Sequence, residues 1–166
     1  MCQRNRAARA STNDAGLPAS LFEAYQRSVY RVVAAGRRFD IFVDRTHAEI
    51  DRLLGEAGGH SWALLTAANP GSRDLSEEEN AARQRQLEAN LRDLGYRSLL
   101  GESFDPESGD FFEEQRWVLG IDREGAVALA RAFGQAAILY GEIGGRAELV
   151  LVTPAARAAD ERDCGG

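Results

Sequence analysis

Apolar and polar positions alternate along this chain with two different periods, and the switches between them predict the order of its elements. Proline at position 18 opens a short helix over 18–26. Two strands follow at 29–34 and 38–43, joined near Ala35-Gly36. Residues 46–55 set Ile50, Leu53 and Leu54 on one side of a helix. The apolar stretch 61–67, bounded by Gly58-Gly59 and Asn69-Pro70-Gly71, reads as a buried strand. A helix over 77–94 is the best-marked element, with Ser76 and Glu79 as a capping box and Gly95 just past its end. Strands at 96–102 and 115–121 flank a polar connection with Pro106 and Gly109. Asp122 caps a helix to about Phe133, Gly134 stops it, and strands at 136–142 and 146–152 form a hairpin at Gly144-Gly145.

From 61 to 142 the order is strand, helix, strand, strand, helix, strand, which is that of a split βαβ unit. The expected fold is therefore α+β and ferredoxin-like. Two helices cover one face of an antiparallel sheet whose middle strands start near Ser61 and Gln115. An N-terminal helix-hairpin-helix and a C-terminal edge strand extend it; a βαβ-rich open sheet is the rival topology. Residues 17–153 read as one domain without internal repeats. The segments 1–16 and 154–166 are small, polar and charged, and are expected to be disordered tails.

Composition narrows the function classes. Of 166 residues, 44% are hydrophobic and 28% charged, which is ordinary for a globular chain. The formal net charge is −6, against the basic excess that releases counterions from nucleic acid, so no nucleic-acid partner is expected. All 20 basic residues are arginine, a bias that points to a GC-rich, bacterial type of genome and lowers the information in any single arginine. No apolar run is long enough for a bilayer, and the polar start lacks the roughly 7 to 15 apolar residues of a secretory leader. Cys2 and Cys164 sit at opposite tips, so neither a disulfide nor a metal site is expected from them, and the cytoplasm is the expected compartment.

The chemistry-bearing signal is polar residues on an otherwise apolar stripe. In the helix 77–94, Leu87, Leu91 and Leu94 form the core line at 100° per residue, and Asn80 falls on that line with Arg83 and Gln84 beside it. Buried amides and guanidinium groups require partners, either protein groups or a ligand. The expected topology brings Thr66, Asn69, Asn80, Arg83, Glu113 or Glu114, and Gln135 to one sheet edge from four chain segments. The structural alternative is that the asparagines serve loop backbone and Arg83 pairs with a carboxylate.

Other motifs weigh little. Asn69-Pro70-Gly71-Ser72 precedes a helix N-terminus, but Glu77, Glu78 and Glu79 already complement that dipole and would repel a phosphate. No Walker ending or GxGxxG occurs. His47 and His60 have no metal-type spacing to each other or to carboxylates, so no metal is expected, and no cofactor is indicated. The serines lack a nucleophile-elbow context, and Trp62, Trp117, Phe133 and Tyr140 read as core.

Ser61-Trp62-Ala63-Leu64-Leu65-Thr66-Ala67-Ala68-Asn69-Pro70 resembles the SWAFITAWNP signature of a bacterial family, domain of unknown function 3293. The resemblance continues through Glu79-Asn80-Ala81-Ala82-Arg83, Leu87 and Leu91. It then takes in Glu113-Glu114 ahead of Trp117-Val118-Leu119-Gly120-Ile121, and ends at Phe133-Gly134-Gln135-Ala136. It implies no activity. The chain departs from the pattern at Ala68, where the family typically carries tryptophan.

Three functional readings follow. The first is a small-molecule or nucleotide-binding module, with Thr66, Asn69, Asn80, Arg83, Glu114 and Gln135 around a polar pocket and Arg83 meeting an anionic group. The second is a hydrolase or transferase with Glu113 or Glu114 as base and Arg83 stabilising negative charge. The third is an interaction or homodimerisation domain that uses exposed sheet edges.

Overall fold

A computed structural model describes residues 16–153. The expected tails, Gly16 apart, lie outside these residues, as do Cys2 and Cys164. In chain order the elements are α1 (Ala19–Arg27), β1 (Val29–Ala34), β2 (Arg37–Ile41), α2 (Ala48–Glu56), β3 (Ser61–Leu65), α3 (Glu77–Asp93), β4 (Arg97–Phe104), β5 (Phe111–Leu119), α4 (Arg123–Ala132), β6 (Ala137–Glu142) and β7 (Glu148–Leu151). A single 3₁₀ turn, Pro70–Ser72, separates β3 from α3. Among the described residues the fold is mixed α and β, with four helices and one seven-stranded antiparallel sheet in the order β2-β1-β4-β5-β3-β6-β7.

Local chemistry fixes the helix ends. The Ser76 side chain accepts from the Glu79 N–H at 3.2 Å, and the Glu79 carboxylate accepts from the Ser76 N–H at 2.9 Å, so the capping box forms. These bonds hold the Glu79 carboxyl below the usual carboxylate range. Asp122 caps α4 through a 2.7 Å bond from the Gly125 N–H.

The two faces of the sheet are covered differently. On one, Ala63, Leu65 and Val118 pack with Leu87 and Leu91 of α3 and with Ala126 and Ala130 of α4. The small alanines let α4 approach closely. The buried line of α3 is Gln84, Leu87 and Leu91. Leu94, expected on that line, is instead the C-cap and 60% exposed.

On the other face Tyr30, Val32, Ile41, Trp62, Leu64, Trp117, Leu119 and Leu139 surround Ile50 and Leu54 of α2. The sheet curls around this second core until its ends meet. The Asp44 N–H donates to the Ala147 carbonyl at 2.8 Å, and the Ala147 N–H donates to the Arg45 carbonyl at 2.9 Å. Both bonds join the exit of β2 to the entry of β7, so the two outer strands are not left as open edges at this end.

The β4–β5 hairpin is longer than the sequence pattern predicts. Pairing continues to Phe104 opposite Phe111, with a shift of register between Ser103 and Phe104. Glu113 and Glu114 therefore lie in a strand, on opposite faces of the sheet, rather than in a polar connection.

Gly141 shows how tightly the concave core is packed. A Cβ there would lie 2.5 Å from ring atoms of Trp62, itself 2% exposed. Gly141→Ala is expected to destabilise the protein by about 1–3 kcal/mol, the usual penalty for overpacking a rigid core. Urea denaturation followed by tryptophan fluorescence measures it, with an unchanged midpoint as the contrary outcome.

Candidate functional site

The segment that leaves β3 organises the region. Ladder pairing of β3 ends at Leu65, yet Ala67 and Ala68 are buried, so their backbone groups need other partners. Side chains supply them. The Ala67 N–H donates to Gln84 Oε1 at 2.6 Å and its carbonyl accepts from Arg83 Nε at 2.6 Å. The Ala68 N–H donates to Thr66 Oγ1 at 3.1 Å and its carbonyl accepts from Gln135 Nε2 at 2.8 Å. The Asn69 N–H donates to Asn80 Oδ1 at 2.9 Å.

The same side chains reach further. Arg83 Nη2 donates to the Phe133 carbonyl at 2.6 Å, at the C-cap of α4. Gln84 Nε2 donates to the Glu114 carbonyl at 3.0 Å, and the Thr66 hydroxyl donates to that same carbonyl at 2.9 Å. Asn80 Nδ2 donates to Asn69 Oδ1 at 2.9 Å. Asn69 itself takes left-handed backbone angles, φ 44° and ψ 55°, which asparagine tolerates better than most residues. The turn docks on the end of α4: the Gly71 N–H donates to the Gly134 carbonyl at 2.8 Å. Any Cβ at Gly134 would come within 2.9 Å of Pro70 Cβ, at a residue whose φ is already +73°.

The structure thus brings Thr66, Asn69, Asn80, Arg83 and Gln135 together, mainly through backbone contacts. Glu114 joins them by its carbonyl, while its carboxylate pairs with Arg116 at 2.6 Å. Arg116 also contacts Glu88 of α3.

A cavity of about 330 Å³ lies on the concave side, within the size range of small-molecule sites. Thr66, Asn69 and Gln135 line it, and so do residues that the sequence pattern did not single out: Tyr25 of α1, Ser28, Tyr30, Ser103 and Gln115. Strand parity explains the lining. Tyr30, Ser103 and Glu113 are opposite one another across β1, β4 and β5, and Gln115 is opposite Gly101 in the next inward row. Glu113 and Gln115 continue the inward line of Trp117 and Leu119, where a core strand would carry apolar residues. That period-two interruption is the signal that would have added Gln115 to Glu113 as an inward polar position.

These inward groups are sparsely bonded. Ser103 and Gln115 are 4% and 7% exposed, and neither side chain has a hydrogen-bond partner among the described residues. Glu113 Oε2 is buried without a partner. Burial pushes the Glu113 carboxyl above the usual range, opposed by the Thr66 hydroxyl beside it. Burial likewise raises the Tyr25 hydroxyl, with Ser72 opposing, and that of Tyr30, whose hydroxyl donates to the Tyr25 carbonyl at 3.1 Å.

A second, shallower recess of about 590 Å³ lies on the other side of Asn69, between Asn80, Gln84 and the exposed Phe111 and Phe112. Ala68 faces it, at the position where the resembled signature has tryptophan. Neither histidine joins the site: His47 Nε2 lies 3.1 Å from the Phe42 amide and carbonyl. No group of three or more metal-ligating side chains occurs among the described residues. No helix among them is long and apolar enough to cross a membrane.

Comparison with known proteins bears on these same elements. Residues 65–138 match DUF3293, described as a protein of unknown function. No curated protein and no solved structure matches the chain. The DUF3293 match runs from the end of β3 into β6, and so contains every side chain that holds the Ala67–Asn69 backbone. It also contains Ser103, Glu113 and Gln115, whereas Tyr25 and Tyr30 lie outside it.

Two predictions follow from this geometry. Gln84→Leu keeps the volume but orphans the Ala67 N–H and removes one of two donors to the Glu114 carbonyl. It is expected to cost about 1–3 kcal/mol, read by chemical denaturation; an unchanged stability would contradict the assigned bonds. The second concerns pH. Because the folded-state pKa of Glu113 is raised, its contribution favours folding below its ordinary value of 4.5 and is lost as pH rises through the raised folded value. Glu113→Gln should therefore raise the melting temperature at neutral pH, and the gain should vanish at acid pH. Equal gains at both pH values would contradict a buried carboxyl.

Proposed function

We propose that this chain is a small-molecule-binding module whose site is the concave cavity beneath α1. The observation that carries the reading is a cavity of about 330 Å³ lined by Ser103, Glu113 and Gln115, where the Ser103 and Gln115 side chains and Glu113 Oε2 have no hydrogen-bond partner among the described residues. A filled core does not tolerate such groups without cost, and each is worth roughly 1–3 kcal/mol when left unmet. A ligand, or water that a ligand displaces, would meet them.

The sequence-derived site divides into two roles under this reading. Thr66, Asn69 and Gln135 would form the rim of the cavity. Asn80 and Arg83 would act behind that rim, holding the Ala67–Asn69 backbone in place, and Glu114 would contribute through its carbonyl. The order β4-β5-β3-β6, with α3 and α4 across β3 and β6, supports a ferredoxin-like, split βαβ description of the central unit. In that description the helices occupy one face and leave the other to the cavity.

The catalytic alternative has less support. Glu113 has the burial of a general acid or base, but Arg83, the group invoked to stabilise negative charge, is bonded to two backbone carbonyls. The interaction reading rests on open sheet edges, and those edges meet at Ala147.

The test is native mass spectrometry of the purified chain for a retained compound, with a thermal-shift screen of a metabolite library. The expected outcome is at least one compound that stabilises the wild type by several degrees and loses its effect in Gln115→Leu. No retained compound and no stabilising hit would overturn the binding reading.

A further inference from the structure

The charges and rings around the cavity narrow what could occupy it. Its lining includes two carboxyl side chains, Glu113 facing inward and the exposed Asp74 at the rim, and neither an arginine nor a histidine. Glu113 Oε2 has no donor in reach. Three aromatic rings, Tyr25, Tyr30 and Phe112, share the lining with it. The guanidinium nearest to hand in the sequence pattern, Arg83, donates to the Ala67 and Phe133 carbonyls instead.

An anionic ligand would be buried beside a carboxyl with no cation to offset it, an arrangement that costs several kcal/mol. A neutral ligand would leave the carboxylate uncompensated. A protonated amine satisfies both demands: its N–H groups meet the Glu113 carboxylate, and its charge is favoured by aromatic ring faces. From this juxtaposition we infer that the cavity takes a small organic amine, with its ammonium group against Glu113 and its carbon frame against Tyr25, Leu64 and Leu139. The inference rests on the binding reading above and deepens it.

The uncharged groups fit the same ligand class. Gln115 and Ser103 offer oxygen acceptors for the remaining ammonium protons, and Thr66 lies beside Glu113. The groups facing Glu113 are Tyr25 from α1, Tyr30 from β1, Ser103 from β4 and Thr66 from the segment that leaves β3. None is basic, so the ligand would supply the only positive charge in the cavity. Amine binding therefore requires the ionised carboxyl and weakens as pH falls through the Glu113 transition. The ligand's own charge does not change there, since an alkyl ammonium titrates near pH 10, about where lysine does.

The experiment compares matched compounds on the full chain: benzylamine, benzyl alcohol and benzoate, and the corresponding butyl series, by calorimetry or ligand-observed NMR. The amines are expected to bind at least tenfold more tightly than the alcohols, and the carboxylates not at all. Glu113→Gln, which relieves a buried charge and is expected to fold, should weaken amine binding at least tenfold and leave the alcohols unchanged. Glu113→Asp should retain part of the amine preference. The assignment is overturned if carboxylates bind as well as amines, or if Glu113→Gln leaves amine affinity unaltered. Should alcohols or library compounds bind with no preference for amines, the ligand class is wrong and the binding reading stands. If neither these series nor the library yields a binder, both fall.

Discussion

Three residues of buried backbone, Ala67 to Asn69, set the terms for the rest of this molecule. They follow a central strand, they have left its ladder, and the first two are buried. Backbone amides in that position must be paired or the fold loses several kcal/mol. Here every N–H and C=O of Ala67 and Ala68 meets a side chain, drawn from Thr66, Arg83, Gln84 and Gln135. Those residues come from the exit of β3, from the first half of α3 and from the entry to β6. A bond network of that reach determines where α3 begins relative to the sheet and where α4 ends.

The same requirement explains why polar residues occupy the apolar line of α3. At Gln84 the helix faces backbone rather than hydrocarbon, and leucine there would pack well but bond nothing. Leu87 and Leu91, one and two turns on, face Leu65 and Val118 and follow the ordinary rule. The polar start of the line and its apolar continuation are thus one solution to a surface that changes from loop to sheet beneath the helix. Asn80 completes it by holding Asn69 in a left-handed conformation, from which the chain turns through Pro70 onto the end of α4.

Much of this was legible in advance. Ser76 and Glu79 marked the start of α3, Asp122 marked α4, and both residues form the caps that their types imply. The inward direction of Asn80 and Arg83 followed from helical spacing alone, because 100° per residue leaves them no other face. Spacing could not tell that their partners would be carbonyls and amides of the neighbouring segment, since backbone groups carry no sequence. The strand position of Glu113 was obscured for a related reason. Polar residues beside Pro106 and Gly109 resemble a loop, and only the pairing of Ser103 with Glu113 extends the strand predicted from Gln115 back to it. The meeting of β2 and β7 rests on backbone bonds at Asp44, Arg45 and Ala147, and nothing in the side-chain pattern encodes it.

The two polar systems differ in the way that separates structure from a site. On the convex side the side chains that hold Ala67–Asn69 all reach partners in the protein, although Arg116 Nε beside them is buried without one. On the concave side, a few ångströms across the same strands, Glu113, Gln115 and Ser103 stand in rows where β5 and β4 otherwise contribute Trp117 and Leu99 to a packed core. Apolar residues at those three positions would close the cavity and extend the core that Trp62, Trp117 and α2 already form. The fold can plainly build such a core, since it does so one row away. Its interruption at the end covered by α1 is therefore a departure from the packing optimum with no structural return, and unreturned departures of that kind are where function is to be sought.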